Sequence, residues 1–397
     1  MQTLSFKGHR ALVVSPVATH PTTHGNRARV VAMIGFLEAL GFEVHVVILL
    51  RGDADTAAMQ QAYGDRLHLV PYTRPPRRET ATGAWVRRVR QITDQDARYM
   101  VGGDDWYDDA TDAVMDRLDR DVGFDLAVVE YAFLSRALLR LKSPTLKVID
   151  THDIFANRHR VFLKAGLTPS YYSTTPDEEK RCLARADLVL GIQAHETGQL
   201  LAYGLDAITF GHTVEIDPIF DTAAAQFDLL MVGSGNPMNV EGLLWFGQQV
   251  LPHLAESAPG VRIAVAGGVC AATPEFAGLT KLGIVEDLKH VYARSRIAMN
   301  PVRNGTGLNI KSVEAMGFGM PLLSTPSGSR GLEDAWGAAI VVADTPEAFA
   351  RAALALASDD AALSSLSQGG LAFAREWNSL HTDVFRSRLA AAFPPNS

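Results

Sequence analysis

The chain has 397 residues, 47% hydrophobic and 20% charged, with a mean hydropathy of +0.04. That is a globular balance over a length that exceeds one ordinary core, so two domains are expected. A net charge of −7 argues against a general nucleic-acid binder, and two cysteines, Cys182 and Cys270, build no disulfide framework. The cysteine usage fits a reducing, cytoplasmic setting. The N-terminal run is too short and turn-bound for a signal peptide, and no apolar run approaches the length of a membrane span.

Residues 10–15, RALVVS, read as a buried strand. A loop with Pro16, Pro21 and Gly25 leads into a helix over 27–40, which Gly41 ends. Residues 43–49, EVHVVIL, form a second strand, and strand–helix–strand implies a parallel sheet. Further strands are expected at 67–70, 126–130, 147–150 and 188–192, with helices over 108–119 and 177–186. The pattern lapses over 206–226, which reads as a linker between an N-terminal domain, 1–205, and a C-terminal domain, 227–377.

The second half restarts the alternation. Strands are expected at 228–232, 261–266, 297–299, 321–324 and 339–342. Helices are expected over 240–254, 285–293, 308–316, 346–357, 361–376 and 380–392, the last (about 378–397) packing back on the N-terminal domain. Two such arrays in succession predict an α/β chain of two Rossmann-like, doubly wound domains.

The most informative stretch is 297–325, IAMNPVRNGTGLNIKSVEAMGFGMPLLST. A strand runs into a loop containing Gly305, Thr306 and Gly307, and the loop opens a helix at Leu308. A glycine-bearing loop at a helix N-terminus offers backbone N–H groups and the positive end of the dipole to phosphate. Arg303 and Lys311 supply cations for a diphosphate. Glu314, three residues beyond Lys311 on one helix face, suits ribose hydroxyls. Its alternative is a local ion pair with Lys311.

Other motifs fail on inspection. Gly233-Ser234-Gly235 follows a strand, but the dinucleotide fingerprint would need glycine at Met238. Residues 305–312, GTGLNIKS, carry Ile310 where a P-loop needs glycine before its lysine. The acidic run Asp104, Asp105, Asp108, Asp109 and Asp112 reads as a charged helix start rather than a metal site. Asp150, His152 and Asp153 form a weak metal triad that nothing else in the chain supports, and no metal is expected.

Three segments carry a family likeness: 231–254, MVGSGNPMNVEGLLWFGQQVLPHL; 282–325; and 328–333, GSRGLE. They resemble the C-terminal domain of GT-B glycosyltransferases of the group 1, family 4 type. The N-terminal half is similar more loosely, through SPVATHPTTHGNRARVVAMIGFLEALGFEVHVV, FDLAVVEYAFL and KVIDTHDIF. The resemblance implies two Rossmann-like domains facing across a cleft, a nucleotide diphosphate sugar (UDP or GDP) on the C-terminal one, and an acceptor on the other. No cofactor beyond that co-substrate is implied. Transfer is expected to retain configuration and need no metal, in a setting of polysaccharide biosynthesis. The acceptor is expected to be a glycan, a glycolipid or a small molecule.

The resemblance also assigns residues. Glu314 falls on the ribose-binding glutamate, residues 282–285 with Gly283, Ile284 and Val285 on the turn that meets the base, and His152 on a histidine near the transferred sugar. Two positions depart from the family. Thr306 stands where many members have a second glutamate, and the loop with Gly233 to Pro237 lacks the usual diphosphate cations, leaving Arg303 and Lys311 to serve. Catalytic roles are thus expected for His152, Arg303 and Lys311. Donor contacts are expected from Gly25, Gly233, Gly283, Ile284, Val285, Gly305, Thr306, Gly307, Leu308 and Glu314. Asn26, Arg27, Glu130, Tyr131 and Asp153 are expected around the acceptor and sugar. The rivals are a GT-B nucleotide-sugar 2-epimerase and an inactive sugar-nucleotide-binding subunit. The arginine-rich stretch 74–98 reads as an acceptor loop, a peripheral contact with anionic membrane, or a plain solvated helix.

Overall fold

The computed structural model describes residues 5–22, 24–73, 89, 92, 95–142 and 144–394. The chain divides into two compact units, Met1–Gly211 with Thr382–Ser397, and His212–His381.

The first unit runs β1 (Arg10–Ser15), α1 (Gly25–Ala39), β2 (Glu43–Leu50), α2 (Thr56–Tyr63), β3 (Leu67–Pro71), α3 (Ala110–Asp121), β4 (Leu126–Glu130), β5 (Leu146–Asp150), α4 (His159–Lys164), α5 (Pro176–Leu183), β6 (Leu188–Gly191), α6 (Ala194–Ala202) and β7 (Ala207–Thr209). Its sheet has the order β3-β2-β1-β4-β5-β6-β7, and every pairing is parallel. Side chains alternate across a strand, so β1 sends Leu12 and Val14 to one core and Ala11 and Val13 to the other. Both faces are covered, which explains why its central strands read as continuous apolar runs.

The second unit runs β8 (Phe227–Val232), α7 (Pro237–Trp245), a π turn (Phe246–Val250), α8 (Leu251–Ser257), β9 (Ile263–Ala266), β10 (Leu279–Gly283), α9 (Leu288–Tyr292), β11 (Ser295–Asn300), α10 (Ile310–Gly317), β12 (Leu322–Ser324), β13 (Ile340–Val342), α11 (Pro346–Ala357) and α12 (Asp360–Ala392). The order is β10-β9-β8-β11-β12-β13, again parallel. The π turn sits just before Pro252, whose ring and missing N–H exclude the ordinary helical bond there. The last turns of α12, from Thr382, belong to the first unit, where Phe385 and Leu389 enter the core.

Several boundaries differ from expectation. The stretch 206–226 is not all linker, because β7 pairs with β6. It and β10 are edge strands, short or half-buried, which leaves little apolar pattern to find. The two helices expected over 361–376 and 380–392 are one, since no proline or glycine interrupts 371–392. The site helix begins at Ile310, two residues later than expected, so Leu308 belongs to the loop. Among the described residues, no helix is long and apolar enough to cross a membrane.

Candidate active site

In the second unit three loops meet beyond the C-terminal ends of the strands, where parallel sheets bind ligands. The loop 233–236 after β8 lies against the turn after β9. A Cβ on Gly267 would stand 2.3 Å from the Gly233 carbonyl, and its φ of +97° already requires glycine. Helix α7 presses on the third loop, 301–309, so that a Cβ on Gly242 would meet the Pro301 carbonyl at 2.9 Å.

That third loop is stapled from behind. Ser327 Oγ donates to the Arg303 carbonyl at 2.8 Å, Asn309 Nδ2 to the Ser327 carbonyl at 3.0 Å, and Arg330 to the Gly305 carbonyl at 3.0 Å. Thr325 Oγ1 donates to the Val302 carbonyl. Asn300 Nδ2 and Ser312 Oγ both donate to the Gly328 carbonyl, at 2.7 and 2.9 Å. A side chain at 328 would stand 2.6 Å from the Asn300 carbonyl, so residue 328 must be glycine for this web to close. The loop carrying Gly305, Thr306, Gly307 and Leu308 is thereby held without help from a ligand.

Lys311, the second residue of α10, reaches back over this edge. Its Nζ donates to Asn239 Oδ1 at 2.8 Å. Desolvation pulls the ammonium down to about 7, although the side chain keeps some exposure. Glu314 does not pair with it. Glu314 Oε1 lies 3.7 Å from His212 Nε2, so the local Lys311–Glu314 ion pair is absent and the two side chains serve different neighbours. Gly283 ends β10 with φ of +71°, and its carbonyl accepts from Gly267 N at 2.6 Å. Beside it Ile284 is 74% exposed, an unusual position for an isoleucine, and Val285 is half-buried.

Arg303 is engaged with protein groups of its own. Its guanidinium lies over the Trp245 ring at 4.9 Å and donates to the Asp344 carbonyl at 3.1 Å.

In the first unit the ends of β4 and β5 carry a buried polar group. His152 Nε2 lies 2.5 Å from Glu130 Oε2, and Glu130 is also hydrogen-bonded with Asp150. Burial and the adjacent Asp150 charge push the Glu130 carboxyl well above its ordinary range. Burial holds His152 down at about 4. At neutral pH the ring is therefore uncharged, and the raised Glu130 carboxyl favours its protonated form beside it. Tyr131 stacks on His152 with centroids 4.1 Å apart, and Asn26 bonds its phenol. Tyr131 and His152 both have positive φ, 72° and 58°, a strained backbone that recurs at functional sites. Gly25 opens α1 next to Asn26. Asp153 pairs with Arg158 at 2.8 Å.

Arg27 faces elsewhere, donating to the Pro21 carbonyl at 3.0 Å and to Asp53 at 2.5 Å. Arg29 is the cation of this group. Its Nε and Nη2 hold both oxygens of Asp150, at 2.7 and 2.6 Å, and Nη2 also meets the Phe210 carbonyl. Glu130, Asp150 and His152 have ligand atoms within 4.8 Å of one another. A metal ion fits poorly there, because the guanidinium already occupies the Asp150 carboxylate. The acidic run is committed to protein contacts: Asp104 to Arg185, Asp108 to Thr73 N, and Asp109 and Asp112 to Arg136.

The sequence expectations missed Arg29, Asn239, Asn300 and Arg330. Arg29 had one signal, a charge within the otherwise apolar helix that follows β1. The others become visible only when distant segments are brought together.

Residues 226–359 match a family model described as glycosyl transferases group 1. The second unit is a group 1 glycosyltransferase domain. The match covers Asn239, Lys311, Glu314 and every loop of the edge just described. A 127-residue stretch is 27% identical to an uncharacterized 44.6 kDa protein in the cps region of Klebsiella pneumoniae. That stretch is 29% of this chain and spans only 33% of the relative's length. Two solved structures share the fold of the whole chain. A glycosyltransferase from Rickettsia africae has a TM-score of 0.64 at 9% identity, covering 98% of this chain and 99% of its own. Anabaena Alr3699/HepE, in complex with UDP-glucose, has a TM-score of 0.62 at 11% identity, covering 95% and 99%. The glycosyltransferase domain, with the parallel sheet that precedes it, thus has the α/β architecture of the GT-B fold.

Proposed function

We propose that this protein is an enzyme that moves a sugar from a nucleotide diphosphate sugar to an acceptor, with retention and without a metal. UDP or GDP carries the sugar, and a glycan, a glycolipid or a small molecule receives it. One observation carries this reading. The Lys311 ammonium sits at the C-terminal sheet edge beside three glycine-bearing loops, and among the described residues no carboxylate pairs with it. A desolvated cation with a neutral partner suits an anion.

Breaking the anomeric bond leaves an oxocarbenium-like sugar and a departing diphosphate. Lys311 and the first-turn amides of α10 meet the growing charge, and preorganised donors of this kind supply much of an enzyme's rate effect. Glu314 accepts from the ribose hydroxyls, and the backbone of residues 283–285 with the exposed Ile284 receives the base. On the first unit, His152 with Glu130, Tyr131 and Asn26 forms a polar, rigid surface for the sugar and the acceptor. The relative crystallised with UDP-glucose supports this substrate class.

A thermal-shift screen of UDP-, GDP-, ADP-, TDP- and CMP-sugars tests the donor, since a ligand of the native state alone raises its stability. Product analysis then separates the reactions. Transfer that needs an acceptor, survives EDTA and preserves anomeric configuration supports the proposal. Epimerised sugar from donor alone, or binding with no turnover over a broad acceptor panel, overturns it. We also propose a cytoplasmic enzyme with peripheral contact to anionic membrane. Most of the stretch 74–98, with Arg77, Arg78, Trp85, Arg87, Arg88 and Arg90, lies outside the described residues, so salt-sensitive binding to anionic liposomes is the test.

A further inference from the structure

We propose that Asn239 is the positioning residue of the donor site, holding the Lys311 ammonium at the mouth of the loop after β8 where a diphosphate would lie. This rests on the reading of the second unit as a nucleotide-sugar site. Residues 233–237, GSGNP, carry no cation, so a phosphate at this edge must draw its positive charge from another element. Lys311 comes from α10, and its partner Asn239 from α7, 72 residues earlier.

The geometry leaves Asn239 little freedom. It is buried, and its amide Nδ2 donates to Ser234 O and Ser234 Oγ, at 3.1 and 3.2 Å. With the nitrogen end committed to the loop, the oxygen end must face Lys311. Asn236 caps the same helix by accepting from Met238 N and Asn239 N, at 2.7 and 3.2 Å, which fixes the backbone under the ladder. The result is a chain of contacts from Ser234 through Asn239 to Lys311 that ties the first βα loop to the cation.

An ammonium has three N–H donors. Asn239 takes one, and among the described residues it is the acceptor that Nζ has. The remaining donors suit phosphate oxygens. An amide oxygen also has the right strength for this task. A carboxylate in its place would neutralise the cation and repel the diphosphate, whereas a neutral acceptor orients the charge and leaves it available. Desolvation brings Lys311 down to about 7, so the partner that favours its charged form also decides how far into the alkaline range the site works.

The test is titration calorimetry with UDP-glucose and with GDP-mannose from pH 6.5 to 9, on the full chain and its Asn239 variants. The diphosphate keeps a constant charge over this range, and the imide N–H of uracil or guanine begins to titrate only toward its alkaline end, so the pH dependence up to pH 8 belongs to the protein. Wild-type affinity is expected to fall above about pH 7 as Lys311 loses its proton. Asn239→Ala removes an acceptor of the charged form and starts that fall earlier. Its loss should be about threefold at pH 6.5 and grow to about tenfold at pH 8, the weight of one charge-assisted hydrogen bond. Asn239→Asp, which is isosteric and guards against an Ala variant that does not fold, should move the fall to higher pH while weakening binding at pH 6.5. A loss by the same factor at every pH in both variants overturns the positioning role. A wild-type protein that binds neither sugar nucleotide overturns the donor-site reading itself.

Discussion

A lysine kept for an anion should cost the empty protein stability, and Lys311→Met measures that cost. The ammonium's ordinary value is 10.5 and the folded protein holds it at about 7. While charged, it therefore opposes folding by up to about 5 kcal/mol. Its partial exposure brings a realistic figure to about 2 to 3 kcal/mol. Methionine has a similar length and no charge, and it leaves Asn239 Oδ1 unpaired at a cost of about 1 kcal/mol. The net expectation is a gain of about 1 to 2 kcal/mol at pH 6, together with loss of donor binding.

The sign with pH follows from linkage. Between about pH 7 and 10.5 the unfolded lysine is protonated and the folded one is not, so the lysine's penalty shrinks as pH rises through that window. The methionine variant's advantage should be full at pH 6 and have lost at least half its size by pH 9. Urea denaturation of both proteins at the two pH values, with no nucleotide present, reads it directly. A variant less stable than wild type at pH 6, or an advantage that does not change with pH, would refute the claim that a desolvated charge sits there.

Four further outcomes are expected. Lys311→Ala should lower turnover by on the order of 10² to 10³, the scale of one electrostatic donor, and near-normal steady-state rates with any accepted donor would remove it from the chemistry. Glu314→Gln should raise the donor Michaelis constant about tenfold with a smaller change in kcat, as loss of a carboxylate acceptor for ribose predicts; an unchanged constant counts against that role. Arg29→Ala strands the buried Asp150 carboxylate and should destabilise by about 3 to 5 kcal/mol, while Arg29→Met with Asp150→Leu should cost less; equal losses by calorimetry would mean the pair is not the source. The Glu130 carboxyl is raised in the folded state, so its contribution is present below about pH 4.5 and is lost as pH rises through its folded value. Glu130→Gln should therefore gain in melting temperature relative to wild type as pH rises above about 4.5, and parallel curves would argue against a raised Glu130 carboxyl.

Most of the fold was legible because each central strand is covered on both faces. Runs such as RALVV and DLLMV need no tertiary knowledge to be recognised, and the helices between them are bounded by glycine and proline. What escaped was local to edges and ends. β7 has three residues and pairs through its backbone, and β10, LTKLG, mixes lysine and threonine into a strand that is covered on one side only. Backbone pairing leaves no trace in side-chain pattern, so such strands are found only through their neighbours.

The site divides in the same way. Lys311 and Glu314 stood out because a charged side chain in a small, apolar helix must have a partner, and the helix starts at a glycine-bearing loop. Arg303 satisfied the same local argument and is already engaged, because Trp245 offers its ring and Asp344 its carbonyl. Charge and position along the chain therefore nominate a residue, and the competing acceptors around it decide. Lys311 has a neutral amide oxygen for a partner and a desolvated environment, so it has most to gain from an incoming anion. Arg303 already has a ring face and a carbonyl, so it has less. That difference in unmet demand ranks Lys311 above Arg303 as the residue that meets the diphosphate.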